Sequence, residues 1–252
     1  MTYLTAVFVI VASMLAALCL LVVLRRRITP AKLMETNDVS GFYISVLGVL
    51  YGVVVAFMLT GVWEDYEEAR ATAEREANSL VNIFRLASAA EESQRHQLQE
   101  LARSYARTMI EEEWSAMERG EVSARGNELI EELWQRATGN EPRTGAATAA
   151  QAQLLAELSE MTEYRRVRHL QSGSRLPAIL WVVLIAGGVA MIGMSALFGV
   201  KNPRLHVLHI ATLTLFVTLT LIAIADLDSP FQGAVRVPDD SFRLALKTML
   251  HR

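Results

Sequence analysis

The sequence predicts an all-α membrane protein: four transmembrane helices, with a helical soluble insert between the second and third. Three observations predict it. Apolar residues make up 52% of the 252 and gather in four runs, each about twenty residues and so long enough to cross a bilayer's hydrocarbon core. The charged residues, 20% of the chain, concentrate between the second and third runs. No stretch alternates apolar and polar residues in the way a half-buried strand does.

The first run, Thr5 to Leu24, is closed by Arg25, Arg26 and Arg27. It lacks a basic leader and a small-residue cleavage site, so it is read as a retained membrane helix. Pro30 and the Thr36-Asn37-Asp38 stretch form a short connection with helix-capping residues. The second span, Phe42 to Val62, is uncharged and makes a helix of roughly 31 Å. Its small residues Gly48, Gly52, Ala56 and Thr60 fall four apart, a stripe that lets helix backbones approach within a membrane. Trp63 and Tyr66 sit where an interfacial aromatic belt belongs. No break signal follows, so the membrane helix runs on into a charged one.

From Glu64 to Arg175 there are 21 acidic residues against 14 Arg and no Lys. Ala73, Ala77, Leu80, Phe84 and Ala87 mark an apolar seam of two heptads, opposite Arg70, Glu74 and Arg85. A second insert helix is expected from Ser93 to Arg119, burying Leu98, Leu101, Tyr105 and Trp114. Gly120 and Gly126 break the pattern before a short third helix with Leu129, Ile130, Leu133 and Trp134. Thr138 to Gly145 is a break signal. A fourth helix, Ala147 to Gln171, carries Leu154, Leu158 and Met161 and a basic end of Arg165, Arg166 and Arg168. The third span opens at Arg175-Leu176-Pro177, where a proline's missing N–H costs nothing, and runs to Phe198. The fourth is Val207 to Ala225. The expected division is therefore 1–63, 64–174, 175–225 and a tail of 226–252, acidic with a short basic end.

Chemistry-bearing patterns are sparse. No nucleophile–base constellation, phosphate loop or dinucleotide fingerprint occurs, so no enzyme is expected. A net charge of −3 gives no reason to propose nucleic-acid binding. His206 and His209 share a helix face but are too few for a metal site. Glu111, Glu112 and Glu113 read as a solvated face. Thr212, Thr214, Thr218 and Thr220 read as hydroxyls bonding back to their own helix, with a polar path as the alternative. Asp226, Asp228, Asp239 and Asp240 surround a Pro-Phe-x-Gly turn; they could hold Ca²⁺ but lack the spacing of a calcium loop, and a capping and surface role is preferred.

Several of these residues resemble bestrophins. Gly52, Thr60, Trp63, Tyr66 and Glu67 match the spacing of the bestrophin second helix. Arg175-Leu176-Pro177 resembles that family's proline-led third helix. Pro230, Phe231, Gly233 and then Asp239-Asp240 are similar to its Pro-Phe-Gly segment followed by acids. Tyr105, Glu113-Trp114, Met117 and Trp181 resemble the signatures of uncharacterised bestrophin-like proteins. The resemblance implies a homopentameric anion channel in the cell membrane, multi-pass, passing ions such as chloride through a pore lined by the second helix. Carried over by that match, the constriction is Ser45, Val49 and Val53; with the small stripe, the pore-lining set is Ser45, Val49, Gly52, Val53, Ala56 and Thr60. Bestrophin constrictions are bulkier than these. The partners implied are the lipid bilayer, further copies of the chain, and inorganic anions. The rival reading is a membrane-anchored helical scaffold that binds a partner and conducts nothing. Arg25 to Arg27 favour a cytoplasmic first loop, whereas the resemblance puts the insert and both termini in the cytoplasm.

Overall fold

A computed structural model describes residues 2–139 and 145–251. Among these residues every regular element is helical. The chain divides into two compact units, Met1–Glu64 with Arg175–Asp228, and Asp65–Ser174 with Ser229–Arg252.

The first unit holds four helices long and apolar enough to cross a membrane. Helix α1, Tyr3–Arg27, is capped by Thr2, whose hydroxyl accepts from the Thr5 N–H. A short α2, Pro30–Met34, has its proline in the first turn. Helix α3, Asn37–Leu86, is unbroken for 50 residues, about 75 Å at the α-helical rise. Its first part belongs to this unit and its remainder to the other. Helix α8, Ala178–Ala196, has Pro177 as its N-cap residue, and the Asp228 carboxylate accepts from the Leu176 N–H just ahead of it, at 2.7 Å. Helix α9, Pro203–Leu227, starts at Asn202, whose side chain accepts from the N–H groups of Arg204 and Leu205.

A small core of Ala17, Leu21, Ala196 and Ile210 joins α1, α8 and α9. Small residues matter here because apolar side chains gain little by leaving lipid, so packing depends on close approach. The Tyr51 ring lies where a side chain on Gly187 would go, and a Cβ on Gly188 would sit 2.9 Å from Val217. Asn37 does not cap α3. Its amide exchanges two hydrogen bonds with the Gly199 backbone, at 2.9 and 3.0 Å, and so ties the α8–α9 connection to the start of α3.

The second unit has the larger core. The expected seam on α3 is buried: Ala73, Ala77, Leu80, Phe84 and Ala87 are at most 4% exposed. The expected helix from Ser93 to Arg119 is instead α4, Glu92–Thr108, a π turn at Met109–Glu113, and α5, Trp114–Glu118. Gly120 ends it with φ 75°, a backbone conformation that favours glycine. Gly126 does not break a helix, contrary to expectation. It lies inside α6, Ala124–Thr138. Most of the Thr138 to Gly145 break signal falls outside the described residues. Helix α7, Gly145–Gly173, follows. The tail ends in α10, Asp240–Leu250, and buries Phe231, Val237, Phe242 and Met249 in the same core.

Candidate functional site

From Gly41 to Gly61, no residue of α3 is buried. The six expected pore residues, Ser45, Val49, Gly52, Val53, Ala56 and Thr60, are all exposed. Their spacing keeps them within an arc of about 100° on one helix side. Val49 is 68% exposed and Val53 50%, while a Cβ on Gly52 would meet nothing within 4 Å. The small stripe proposed from sequence splits, however. Gly48 turns toward α8, where a Cβ would touch Met191 at 3.4 Å. Tyr43, Leu50 and Phe57, 60–70% exposed, lie to the other side of the exposed arc, whereas Phe42, 68% exposed, shares the small-residue side at its start. One stretch of α3 thus carries a narrow small-residue face beside a bulky apolar one.

The hydroxyls of α9 behave in two ways. Thr220 donates to the Phe216 carbonyl at 2.9 Å, as expected of a back-bonded threonine. The buried Thr214 hydroxyl has no hydrogen-bond partner. His206 is buried, and Arg25 lies 2.9 Å from its Nδ1 while its Nε2 is 3.2 Å from the Ser195 carbonyl.

The second unit encloses a charge cluster. Arg168, fully buried, donates to both oxygens of the fully buried Glu76, at 2.7 and 3.0 Å. The Tyr105 hydroxyl donates to Glu76 at 2.6 Å. Glu113 lies 3.1 Å from Arg165, 3.5 Å from Arg168 and 2.5 Å from His169, and accepts from the Ser123 N–H at 3.1 Å. Two carboxylates therefore meet two guanidinium groups, and the remaining lone pairs find donors, which is what a buried ion pair requires. The Arg168 guanidinium also stacks 5.0 Å from the Trp114 ring. Trp114 in turn packs on Phe231 and Phe242 of the tail and donates to the Val237 carbonyl.

The electrostatics follow from burial and neighbours. Burial alone would raise the Glu113 carboxyl, but the His169 hydrogen bond and the charges of Arg168 and Arg165 outweigh it and hold it down at about 2. Burial, reinforced by the Glu76 charge, pushes the Tyr105 hydroxyl well above the phenol range, so it stays a donor. Burial also works against the Arg168 charge, but Glu76 foremost more than offsets it and pushes that guanidinium still further up.

Two sequence expectations are corrected here. Glu113 is not part of a solvated face, although Glu111 and Glu112 are exposed. Arg165 and Arg168 are not a basic surface; only Arg166 is, paired with Glu163. The missed signal was phase: Leu154, Leu158, Met161, Arg165 and Arg168 continue one spacing of four and three, so the arginines stand on the buried face. The cluster braces α3, α4, the π turn and α7 against one another.

Asp228 serves the start of α8, and Asp239 pairs with Arg243 at 2.7 Å. Asp226 and Asp228 belong to one unit, Asp239 and Asp240 to the other. Among the described residues, no three His, Cys, Asp or Glu gather as a metal site.

Against known proteins, the family described as Bestrophin-like domain matches residues 11–242. A crystal structure of a bacterial bestrophin homologue from Klebsiella pneumoniae, carrying one leucine-to-threonine substitution, is similar at a TM-score of 0.68, with 10% identity and 98% of each chain covered. A second from the same organism, with an isoleucine-to-threonine substitution, gives 0.68 and 10% over 97% of this chain and 99% of that one. A crystal structure of a membrane protein with a proline-to-alanine substitution gives 0.66 and 11% over 98% of both chains. No curated protein matches.

Proposed function

Because the chain belongs to the bestrophin-like family, we propose that it is an oligomeric ion channel in which copies of α3 surround a shared pore. The observation that carries the reading is the bare face of α3: Ser45, Val49, Gly52, Val53, Ala56 and Thr60 are exposed together on a stretch, Gly41 to Gly61, in which no residue is buried. A ring of such helices would put small residues toward the axis, with Phe42 at one end of that side, and leave Tyr43, Leu50 and Phe57 for neighbouring subunits and lipid. The ring is a homopentamer, and the protein sits in the cell membrane as a multi-pass channel passing inorganic anions such as chloride.

The spans favour passive flow. No Asp, Glu, Lys or Arg lies within residues 39–63, 178–200 or 205–225, whereas coupled transport relies on such groups inside the membrane. A wall of valine and alanine offers an apolar constriction that gates by dewetting.

The test is reconstitution in liposomes with chloride and iodide efflux as readouts, alongside the oligomer mass. Val53→Trp is expected to cut efflux by about tenfold or more by filling the constriction, while Phe57→Trp leaves it near wild type. A monomer, or efflux indifferent to Val53→Trp, overturns the reading.

A further inference from the structure

The membrane unit is electrically lopsided. At the end formed by the α1–α3 connection and the α8–α9 connection stand Arg25, Arg26, Arg27, Lys32, Lys201 and Arg204, against only two carboxylates, Glu35 and Asp38. The residues flanking the other end of the same four spans include Arg175 and three carboxylates, Glu64, Asp226 and Asp228.

The basic end is held together as a surface. Arg25 donates to the Val200 carbonyl at 3.0 Å and lies against His206. Asn37 clasps Gly199 through two hydrogen bonds. Gly199 itself presses so closely on the backbone of α2 that a side chain there would strike the Met34 N–H. The two connections are thus locked side by side. Arg26, Arg27, Lys32, Lys201 and Arg204 are exposed on them, and no ion pair within the described residues neutralises any of the five.

Five unneutralised cations on one rigid end repel one another unless a counter-charge arrives. They border the apolar spans directly, at the depth of lipid headgroups, where an acidic leaflet attracts Lys and Arg. Arginine there can take a phosphodiester by paired N–H donors. We propose that this end of the membrane unit is a binding surface for acidic phospholipid headgroups, with Arg26, Arg27, Lys201 and Arg204 as its principal contacts.

The test uses the full chain in detergent, exposed to an equimolar mixture of phosphatidylglycerol and phosphatidylcholine, with retained lipid counted by native mass spectrometry. Wild type is expected to retain the acidic lipid in about fivefold preference. The combined R26Q/R27Q/K201Q/R204Q variant loses that preference, and the charge-preserving R26K/R27K/K201R/R204K variant keeps most of it. Equal retention of the two lipids by wild type overturns the proposal. So does a preference that survives in the glutamine variant, or complete displacement of the lipid by excess inorganic phosphate, which would mark a small-anion site. Thermal melting of the glutamine variant without lipid shows whether it still folds, and a variant that melts with wild type makes its loss of lipid specific. The readout is bound lipid, not ion flow, so it fails or succeeds independently of the channel reading.

Discussion

Replacing Arg168 by methionine isolates the central bond of the buried cluster. The change removes the two N–H donations to Glu76, at 2.7 and 3.0 Å, but fills most of the volume. Glu113 loses little, because Arg165, His169 and the Ser123 N–H still reach it. Glu76 is fully buried and keeps only the Tyr105 hydroxyl, at 2.6 Å. Leaving one partner of a buried pair uncompensated costs about 3–5 kcal/mol. For a chain of this size that corresponds to a fall in melting midpoint of about 6–20 °C. Trp114 is a built-in reporter, because the Arg168 guanidinium sits 5.0 Å above its ring; its fluorescence in the detergent-solubilised protein follows the transition. The double variant E76M/R168M removes both charges. Its cost should be smaller than the sum of the two single variants by at least about 2 kcal/mol, since the partners no longer leave each other stranded. Strict additivity, or an R168M melt within about 2 °C of wild type, would refute the claim that the pair is the brace.

Glu113 gives the unit an acid-sensitive limb. A carboxyl held at about 2 instead of the ordinary 4.5 contributes stability that is complete above about pH 4.5 and lost as pH falls toward 2, worth about 3 kcal/mol. Glu113→Gln should flatten that part of the pH–stability curve while lowering stability near neutral pH, as read from melting midpoints across a pH series. Gly126→Ala places a Cβ 2.7 and 2.8 Å from the Arg165 guanidinium. That group is pinned by Glu113 and cannot swing away freely, so a loss of about 1–3 kcal/mol is expected in chemical denaturation. In the membrane unit, Gly187→Ala collides with the Tyr51 ring. It should lower the melting midpoint in detergent, and the added change Tyr51→Leu should recover part of the loss.

The spans were legible because span formation depends on a local quantity, an uncharged apolar run of sufficient length. The continuity of α3 was legible for a similar reason: no Gly or Pro interrupts Glu64 to Leu86. The cluster was not, because a charge reads as solvated until its phase is set against the apolar residues around it. Arg165 and Arg168 looked like a basic helix end when counted as charges, yet they occupy the positions that Leu158 and Met161 hold two turns earlier. Gly126 carried the complementary signal. A glycine within a helix costs stability, and it is kept here because the Arg165 guanidinium fills the place of its side chain. The packing of the tail was not legible, because Phe231 and Phe242 find their partner at Trp114, more than a hundred residues away in sequence.

The same distinction separates the two candidate sites. The brace is completed inside one chain, so its residues carry their partners with them and their burial declares the role. The bare face of α3 has no such closure. Its six positions share a side by helical spacing alone, and what they meet is a property of an assembly. From Gly41 to Gly61 the helix buries no side chain, and on this exposed side it gains no packing from its own fold. Its small residues become useful only where another backbone, or an ion path, comes close. Substitutions on that side should therefore leave the melting of the isolated subunit unchanged and act on assembly or flow. Val49→Trp and Val53→Trp that destabilise an isolated monomer would show that the face is packed within the chain after all.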